Sequence, residues 1–403
     1  MSILVKIADL DLSGKTVLLR EDYNVPLKNG EVVDDTRIKA TLPTIEQLLE
    51  ADAKIILISH LGRPTPGEYD DAFSMAPVAK RLTELLGYNV PLIKDWLNGI
   101  DLGENKIVLC ENARFEPGET KDDEELSRKM AQMCQVYIND AFATAHRAQA
   151  STHGVAKYAA ISAAGPLLIT ELKALSKALR DPAKPLVAIV GGAKVSTKLT
   201  ILESLLDKVD QLIVGGGIAN TFLKAAGYEI GNSLYEPDLV DVAKRLLDNA
   251  KAKGCDIPLP IDVVCGKEFD ENTPATTKSI DDIENDDMIM DVGPETGNLL
   301  HGYIKDAATI VWNGPLGVFE FDQFSQGTEQ LSTAIAKSDA YSIAGGGDTI
   351  AAISKFKIAD DISYISTGGG AFLEFLEGKK LPAIELLEEA ARAWAAMERA
   401  REL

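Results

Sequence analysis

The chain has few cysteines, no long apolar run and a deficit of positive charge. Its four cysteines, Cys110, Cys134, Cys255 and Cys265, form no CxxC pair, and so few in so long a chain do not make a disulfide framework. A reducing compartment fits. No uninterrupted apolar stretch approaches the roughly 18 residues of a spanning helix, and Lys6 and Asp9 bring charge too early for a signal peptide. A cytoplasmic protein with no membrane role is expected. With 41 Lys and Arg against 62 Asp and Glu, the formal charge is −21. That excess argues against nucleic acid or an anionic membrane as a partner of a generally basic surface. Any anionic ligand must be held by local cations. Neither GxxxxGK[ST] nor GxGxxG followed by an acidic residue about 20 positions on is present, and the chain shows no short-period repeat and no compositional linker.

At 403 residues and 46% apolar, the chain exceeds one ordinary core and can build two. Short apolar runs alternate with longer amphipathic segments, the rhythm of parallel βαβ sheets. The runs are 16–19, 54–58, 107–109 and 136–138 in the first half, and 186–190, 211–214, 309–312, 341–344 and 362–365 in the second. Polar motifs follow each run, where ligands of open α/β sheets bind. Residues 167–179 carry Leu168, Leu172, Leu175 and Leu179 at helical spacing before Pro182 and Pro185, which marks a connecting helix and hinge over 167–185. Residues 281–287 (DDIENDD) read as a solvated acidic loop, with metal binding the lesser alternative. Residues 384–403 place Ile384, Leu387, Ala391, Trp394 and Met397 on one helical face, suited to core or domain-docking contact. The expected domains are 1–166 and 186–383, with 384–403 docking back on the first.

The two halves differ in chemistry. Eight of twelve arginines precede residue 181, whereas 22 of 32 glycines follow it. Arg20, Arg37, Arg63, Arg114 and Arg147 stand after strands or in loops, with His60 and His146 among them; planar guanidinium forks suit phosphate and carboxylate, so these suggest a small polyanion site. Each histidine could equally be structural. In the second half, 186–198 (LVAIVGGAKVSTK) joins a buried-strand run to Gly191, Gly192, Lys194 and Lys198. Ser196 or Thr197 could occupy the first turn of a following helix, and amides with ammonium groups there would hold phosphate. An ordinary strand-to-helix turn with surface lysines is the plainer reading. Triplets at 215–217, 345–347 and 368–370 could admit a nucleotide or merely pack a turn. Asp348 could hold Mg²⁺ or cap a helix, and Glu320 could accept from ribose hydroxyls or be a surface carboxylate.

Eleven ordered blocks over residues 3–387 resemble the phosphoglycerate kinase family: REDYNVP (20–26), DDTRI (34–38), SHLGRP (59–64), ENARF (111–115), NDAFATAHRA (139–148), GGAKVSTK (191–198), GGGIANTF (215–222), DVGPET (291–296), WNGPLGVFE (312–320), GGGDT (345–349) and STGGGA (366–371). The resemblance implies an α/β fold of two Rossmann-like domains, each a parallel sheet flanked by helices, facing each other across a cleft. It implies reversible phosphoryl transfer between 1,3-bisphosphoglycerate and ADP, giving 3-phosphoglycerate and ATP, by an enzyme expected to be a monomer. It puts Asp22, Asn24, Arg37, His60, Arg63, Arg114 and Arg147 around phosphoglycerate. Gly192, Lys194, Lys198, Gly215, Gly216, Pro315, Glu320, Gly346, Gly347, Asp348 and Thr349 fall around the nucleotide, with Asp348 near Mg²⁺. Arg37, Lys194, Gly347 and Gly370 are expected to attend the transferred phosphoryl, with Gly346 and Gly369 offering amides nearby.

Glu21, Gln149-Ala150 and Phe372 depart from the usual family residues, which implies local repacking with activity retained, and the chain from about 388 extends past the usual bacterial end. Two other classes remain for comparison: a non-catalytic two-lobed anion-binding protein, and a nicotinamide-dependent dehydrogenase, whose glycine pattern is not met.

Overall fold

The computed structural model describes residues 4–401 and resolves two compact units, 1–173 with 380–403, and 174–379. The first three residues and the last two of the 384–403 segment lie outside the described part. One boundary between the units falls inside the helix Pro166–Leu179, whose Leu168, Leu172, Leu175 and Leu179 are all buried.

The first unit is built on a six-stranded sheet in the order Leu92–Ile93, Ile107–Cys110, Lys54–Ile58, Thr16–Arg20, Val136–Asn139, Ser162–Ala164. Every pairing is parallel. Val17, Leu18 and Leu19 are all fully buried, which is why this run lacks polar alternation: both faces of the strand are covered by helices. Register matters for the site. Arg20 pairs with Ile58 on one side and Asn139 on the other, so the segments leaving three strands start at one level. The terminal helix Pro382–Arg401 packs on this unit through Ala391, in the same apolar core as Val17 and Ile138, and through the Ala383 amide, which donates to the Ala145 carbonyl at 3.2 Å. Met397, near the end of that helix, is 47% exposed.

The second unit carries a five-stranded parallel sheet in the order Gln211–Gly215, Leu186–Gly191, Thr309–Asn313, Tyr341–Gly345, Tyr364–Ser366. The last strand begins two residues later than the apolar run 362–365 suggests, because Ala359–Asp361 forms a short 3₁₀ turn first. This unit also holds an antiparallel sheet with no counterpart in the sequence reading, Asp262–Gly266 between Thr276–Ser279 and Met288–Val292. The acidic stretch beside it is not simply a solvated loop. Asp287 is buried, and Lys278 and Lys267 pair with it at 2.8 and 3.0 Å; both also bond Glu284 at 2.9 Å. Glu284, Asp286 and Asp287 could in principle surround a cation, but the Lys267 and Lys278 ammonium groups already pair with them, offsetting two of the three negative charges.

Candidate active site

In the first unit the cationic side chains collect at the carboxyl ends of the strands. Arg37, in the first turn of the helix Thr36–Glu50, donates through Nη1 to Asp22 Oδ2 at 2.7 Å and to the Asn24 carbonyl at 3.1 Å. Asn24 Oδ1 in turn accepts the Gly62 amide at 2.9 Å, and Arg114 Nη1 donates to the Gly62 carbonyl at 2.5 Å. Asp22, Asn24, Arg37 and Arg114 are thus joined through three loops. Arg114 Nε is buried with no partner among the described residues. Arg63 is exposed, and Arg147, half-buried, donates through Nε to His146 Nε2 at 3.1 Å.

The electrostatics of this cluster are those of crowded positive charge. Burial, then Arg147 and Arg20, push the Arg114 guanidinium down to about 10, with Glu119 the opposing influence; it remains cationic at neutral pH. Burial first, then Arg20, Arg114, Arg147 and Arg37, hold His60 well below the usual histidine range. His60 is therefore a neutral imidazole. Mutual repulsion of this kind is what a bound polyanion relieves.

Arg20 does not belong with the other arginines. It is fully buried and bonded to Ser151, Ser59, His60 and the Glu21 carbonyl, so it lies behind the site. The three departures from the family residues are buried too. Both Glu21 carboxylate oxygens and Gln149 Oε1 have no hydrogen-bond partner among the described residues, Ala150 is fully covered, and the Phe372 ring fills the space beside Gly345 where a Cβ would lie.

In the second unit the site is made of backbone. A Cβ on Gly191 would strike the Pro315 carbonyl, and one on Gly216, at φ +65°, would meet the Gly192 carbonyl at 2.8 Å. The turns at 191–192, 215–217 and 314–316 pack main chain on main chain, with Gly216 N donating to Leu316 O at 2.8 Å. Glycine is needed for that approach. Gly215 caps the helix Gly216–Ala225, where Gly216 N and Ile218 N are taken by Leu316 O and Gly192 O, and Gly346 caps Gly347–Phe356, leaving first-turn amides at that helix start.

Asn313 ties this unit's site together. Its Oδ1 accepts from Lys198 Nζ, and its Nδ2 donates to the Gly345 carbonyl at 2.7 Å. Thr349 Oγ1 donates to that same carbonyl at 2.9 Å and accepts the Gly314 amide at 2.8 Å. Burial lowers the pKa of Lys198, opposed by Asp348 and Glu377. Asp348 is exposed in the first helical turn, carries no ion pair or hydrogen bond among the described residues, and does not serve as the N-cap. Lys194, Glu320, Gly347, Gly369 and Gly370 are exposed, and Pro315 is half-buried.

Ser196 and Thr197 do not sit in a helical first turn. The helix begins at Leu199, and the two hydroxyls shape the preceding turn: Ser196 N and Oγ both donate to Glu236, at 2.8 and 2.6 Å, and Thr197 Oγ1 donates to Lys194 O at 2.8 Å. Glu236 and Asn313 were not among the residues singled out from the sequence. Asn313 had a visible signal, as the polar residue ending an apolar strand run; Glu236 had none.

The phosphoglycerate kinase family model matches residues 7–379. The chain is 59% identical over 386 residues to a phosphoglycerate kinase of Nitratidesulfovibrio vulgaris (strain DSM 19637 / Miyazaki F), covering 96% of this chain and 98% of that one. The structure of phosphoglycerate kinase from Coxiella burnetii superposes with a TM-score of 0.94 at 54% identity, over 96% of this chain and 100% of the other. That of the enzyme from Pyrococcus horikoshii OT3 gives 0.79 at 33% identity, over 97% and 100%.

Proposed function

The chain belongs to the phosphoglycerate kinase family and is a phosphotransferase with a carboxyl acceptor, and on that premise we propose how its two units divide the reaction. The first unit takes 3-phosphoglycerate or 1,3-bisphosphoglycerate through His60, Arg63, Arg114 and Arg147, with Arg37 held towards the reacting carboxyl by Asp22 and Asn24. The second takes ATP or ADP through Gly192, Lys198, Gly215, Gly216, Pro315, Gly346, Gly347 and Thr349, with Glu320 on the ribose. The observation that carries the first assignment is the cluster of guanidiniums around a neutral His60, with Arg114 Nε buried and without a partner among the described residues. Such donors favour an anion that accepts from several of them at once.

In the direction that consumes ATP, the attacking group is a carboxylate, ionised at neutral pH, so no side chain has to remove a proton. Transfer then depends on placing the two substrates and on offsetting charge as it spreads over the moving phosphoryl. Arg37 faces the reacting carboxyl and the phosphoryl, and Lys194 the equatorial oxygens. The amides of Gly346, Gly347, Gly369 and Gly370 add donors without reorganisation. Asp348 fits a Mg²⁺ ligand, being a free carboxylate where hydrated magnesium needs one or two besides phosphate oxygens; Mg²⁺ there would offset nucleotide charge. Because the phosphoryl passes between substrates held by different units, catalysis needs them brought within bonding distance, and 167–185 is the proposed hinge. A cytoplasmic monomer acting on small molecules suffices for this scheme. No helix among the described residues is long and apolar enough to cross a membrane.

Coupled formation of ATP from 1,3-bisphosphoglycerate and ADP tests the proposal. Turnover that collapses on neutralising Arg114 or Arg147, with ADP affinity kept, supports the division between units. Loss of ADP affinity in those variants refutes it.

A further inference from the structure

Of the five arginines near the strand ends, Arg20 is sealed from solvent, with no exposed surface. Every nitrogen of its guanidinium is committed to the protein. Nε donates to Ser151 Oγ at 3.0 Å, Nη1 to the Glu21 carbonyl and towards Ser59 Oγ at 3.5 Å, and Nη2 lies 3.1 Å from His60 Nδ1. Ser151 is itself anchored. Its Oγ donates to Glu119 Oε1 at 2.5 Å and its amide to Glu119 Oε2 at 2.9 Å, and Glu119 is fully buried. The order Glu119, Ser151, Arg20, His60 is a continuous chain of hydrogen bonds.

The end of that chain has one chemical solution. A guanidinium offers donors and no acceptor, so His60 Nδ1 must accept, and the ring's single proton sits on Nε2. A proton added at Nδ1 would set two donors face to face next to a buried cation. The other charged groups acting on the ring are Arg114, Arg147 and Arg37, all of the same sign. Nothing in this surrounding favours imidazolium.

We propose that Arg20 is a positioning residue: anchored through Ser151 to Glu119, it fixes His60 as the Nε2–H tautomer, a neutral hydrogen-bond donor to the phosphoglycerate anion. The proposal rests on the placement of His60 at that substrate. Its consequence is constancy. A histidine free to titrate would gain and lose a charge across the physiological range, and its hold on an anion would follow. A ring locked by a guanidinium gives the same donor throughout.

The test is ¹⁵N NMR of the histidine rings in the ligand-free, full-length protein. With four histidines in the chain, the spectrum is simple, and His60→Gln assigns the signal. The expected result is an acceptor-type Nδ1 and an N–H-type Nε2, unchanged from about pH 5.5 to about pH 8.5. An Nδ1–H tautomer, or imidazolium within that range, would overturn the proposal. Arg20→Met should release Nδ1 and mix the tautomers, while burial and the three remaining arginines still hold the ring below the usual histidine range. Arg20→Lys keeps a donor and should retain the locked tautomer. Ser151→Ala removes only the anchor and should loosen the lock if Arg20→Met does not fold. An Arg20→Met protein with the wild-type tautomer contradicts the assignment. His60→Gln binding 3-phosphoglycerate at wild-type affinity would instead remove His60 from the substrate, whatever its tautomer.

Discussion

Arg37 Nη1 lies 2.7 Å from Asp22 Oδ2, and the same carboxylate accepts the Asn24 amide through Oδ1 at 3.2 Å. Both oxygens of Asp22 are therefore bonded within the protein. A carboxylate aimed at a phosphorylated substrate would repel it; one spent on Arg37 orients the cation instead. Asp22→Ala should lower kcat/KM for 3-phosphoglycerate by on the order of tenfold, the scale of one charge-assisted hydrogen bond, with KM for ATP unchanged. The pair is partly exposed, so the midpoint of urea unfolding should move by less than about 1 kcal/mol equivalent. Steady-state kinetics with each substrate varied decides the matter, and a matching rise in KM for ATP would count against it.

Asn313 holds Lys198 through Oδ1 and the Gly345 carbonyl through Nδ2. Asn313→Ala leaves a partly buried ammonium without that acceptor and a buried carbonyl with one donor fewer. It should weaken ADP binding and reduce stability by about 1–3 kcal/mol, while 3-phosphoglycerate binding by the other unit is retained. Calorimetric titration with each ligand separates these effects.

Glu21 supplies a pH dependence. Burial is the largest influence holding its carboxyl well above the usual range, with Asp140 adding to it and Arg20 opposing. The folded protein therefore keeps a proton that the unfolded chain releases. Stability from this group is complete below the ordinary glutamate range and declines as pH rises from there through the raised folded value. Glu21→Met has similar bulk, no charge to bury and no unsatisfied oxygens. Its thermal midpoint should exceed that of the wild type near neutral pH, and the gain should grow between about pH 5 and pH 8. A gain that is constant or shrinks over that interval would mean Glu21 does not titrate as its surroundings imply.

Much of this was legible in the sequence where burial forces a pattern. Strands covered on both faces must be apolar throughout, so 55–58 and 186–190 stood out, and the polar residues ending them lie where the sheet register puts them. The antiparallel sheet was hidden for the opposite reason. Thr276–Ser279 has no apolar residue, and Asp262 opens its strand because its carboxylate accepts the Glu295 and Thr296 amides at a helix start. Residue type could not tell Arg20 from Arg63 either. One is sealed under the site and the other exposed, and only packing separates them.

Arg37→Ala should impair turnover while leaving the ADP dissociation constant near its wild-type value, because the residue lies in the unit proposed for phosphoglycerate. Equilibrium ADP binding measured beside kcat provides the comparison. If the two moved together, Arg37 would have to act on the nucleotide.

In the proposed mechanism Lys194 meets the phosphoryl in flight more strongly than it holds the nucleotide at rest. Lys194 is exposed on the turn that follows Leu186–Gly191, and Ser196 and Thr197 on the same turn are bonded to Glu236 and the Lys194 carbonyl. The decisive measurement is the saturated rate of ATP formation by Lys194→Ala. A fall corresponding to about 2–4 kcal/mol of barrier, the scale of one lost transition-state donor, is predicted, with ADP affinity changed far less. A kcat close to wild type would contradict the account.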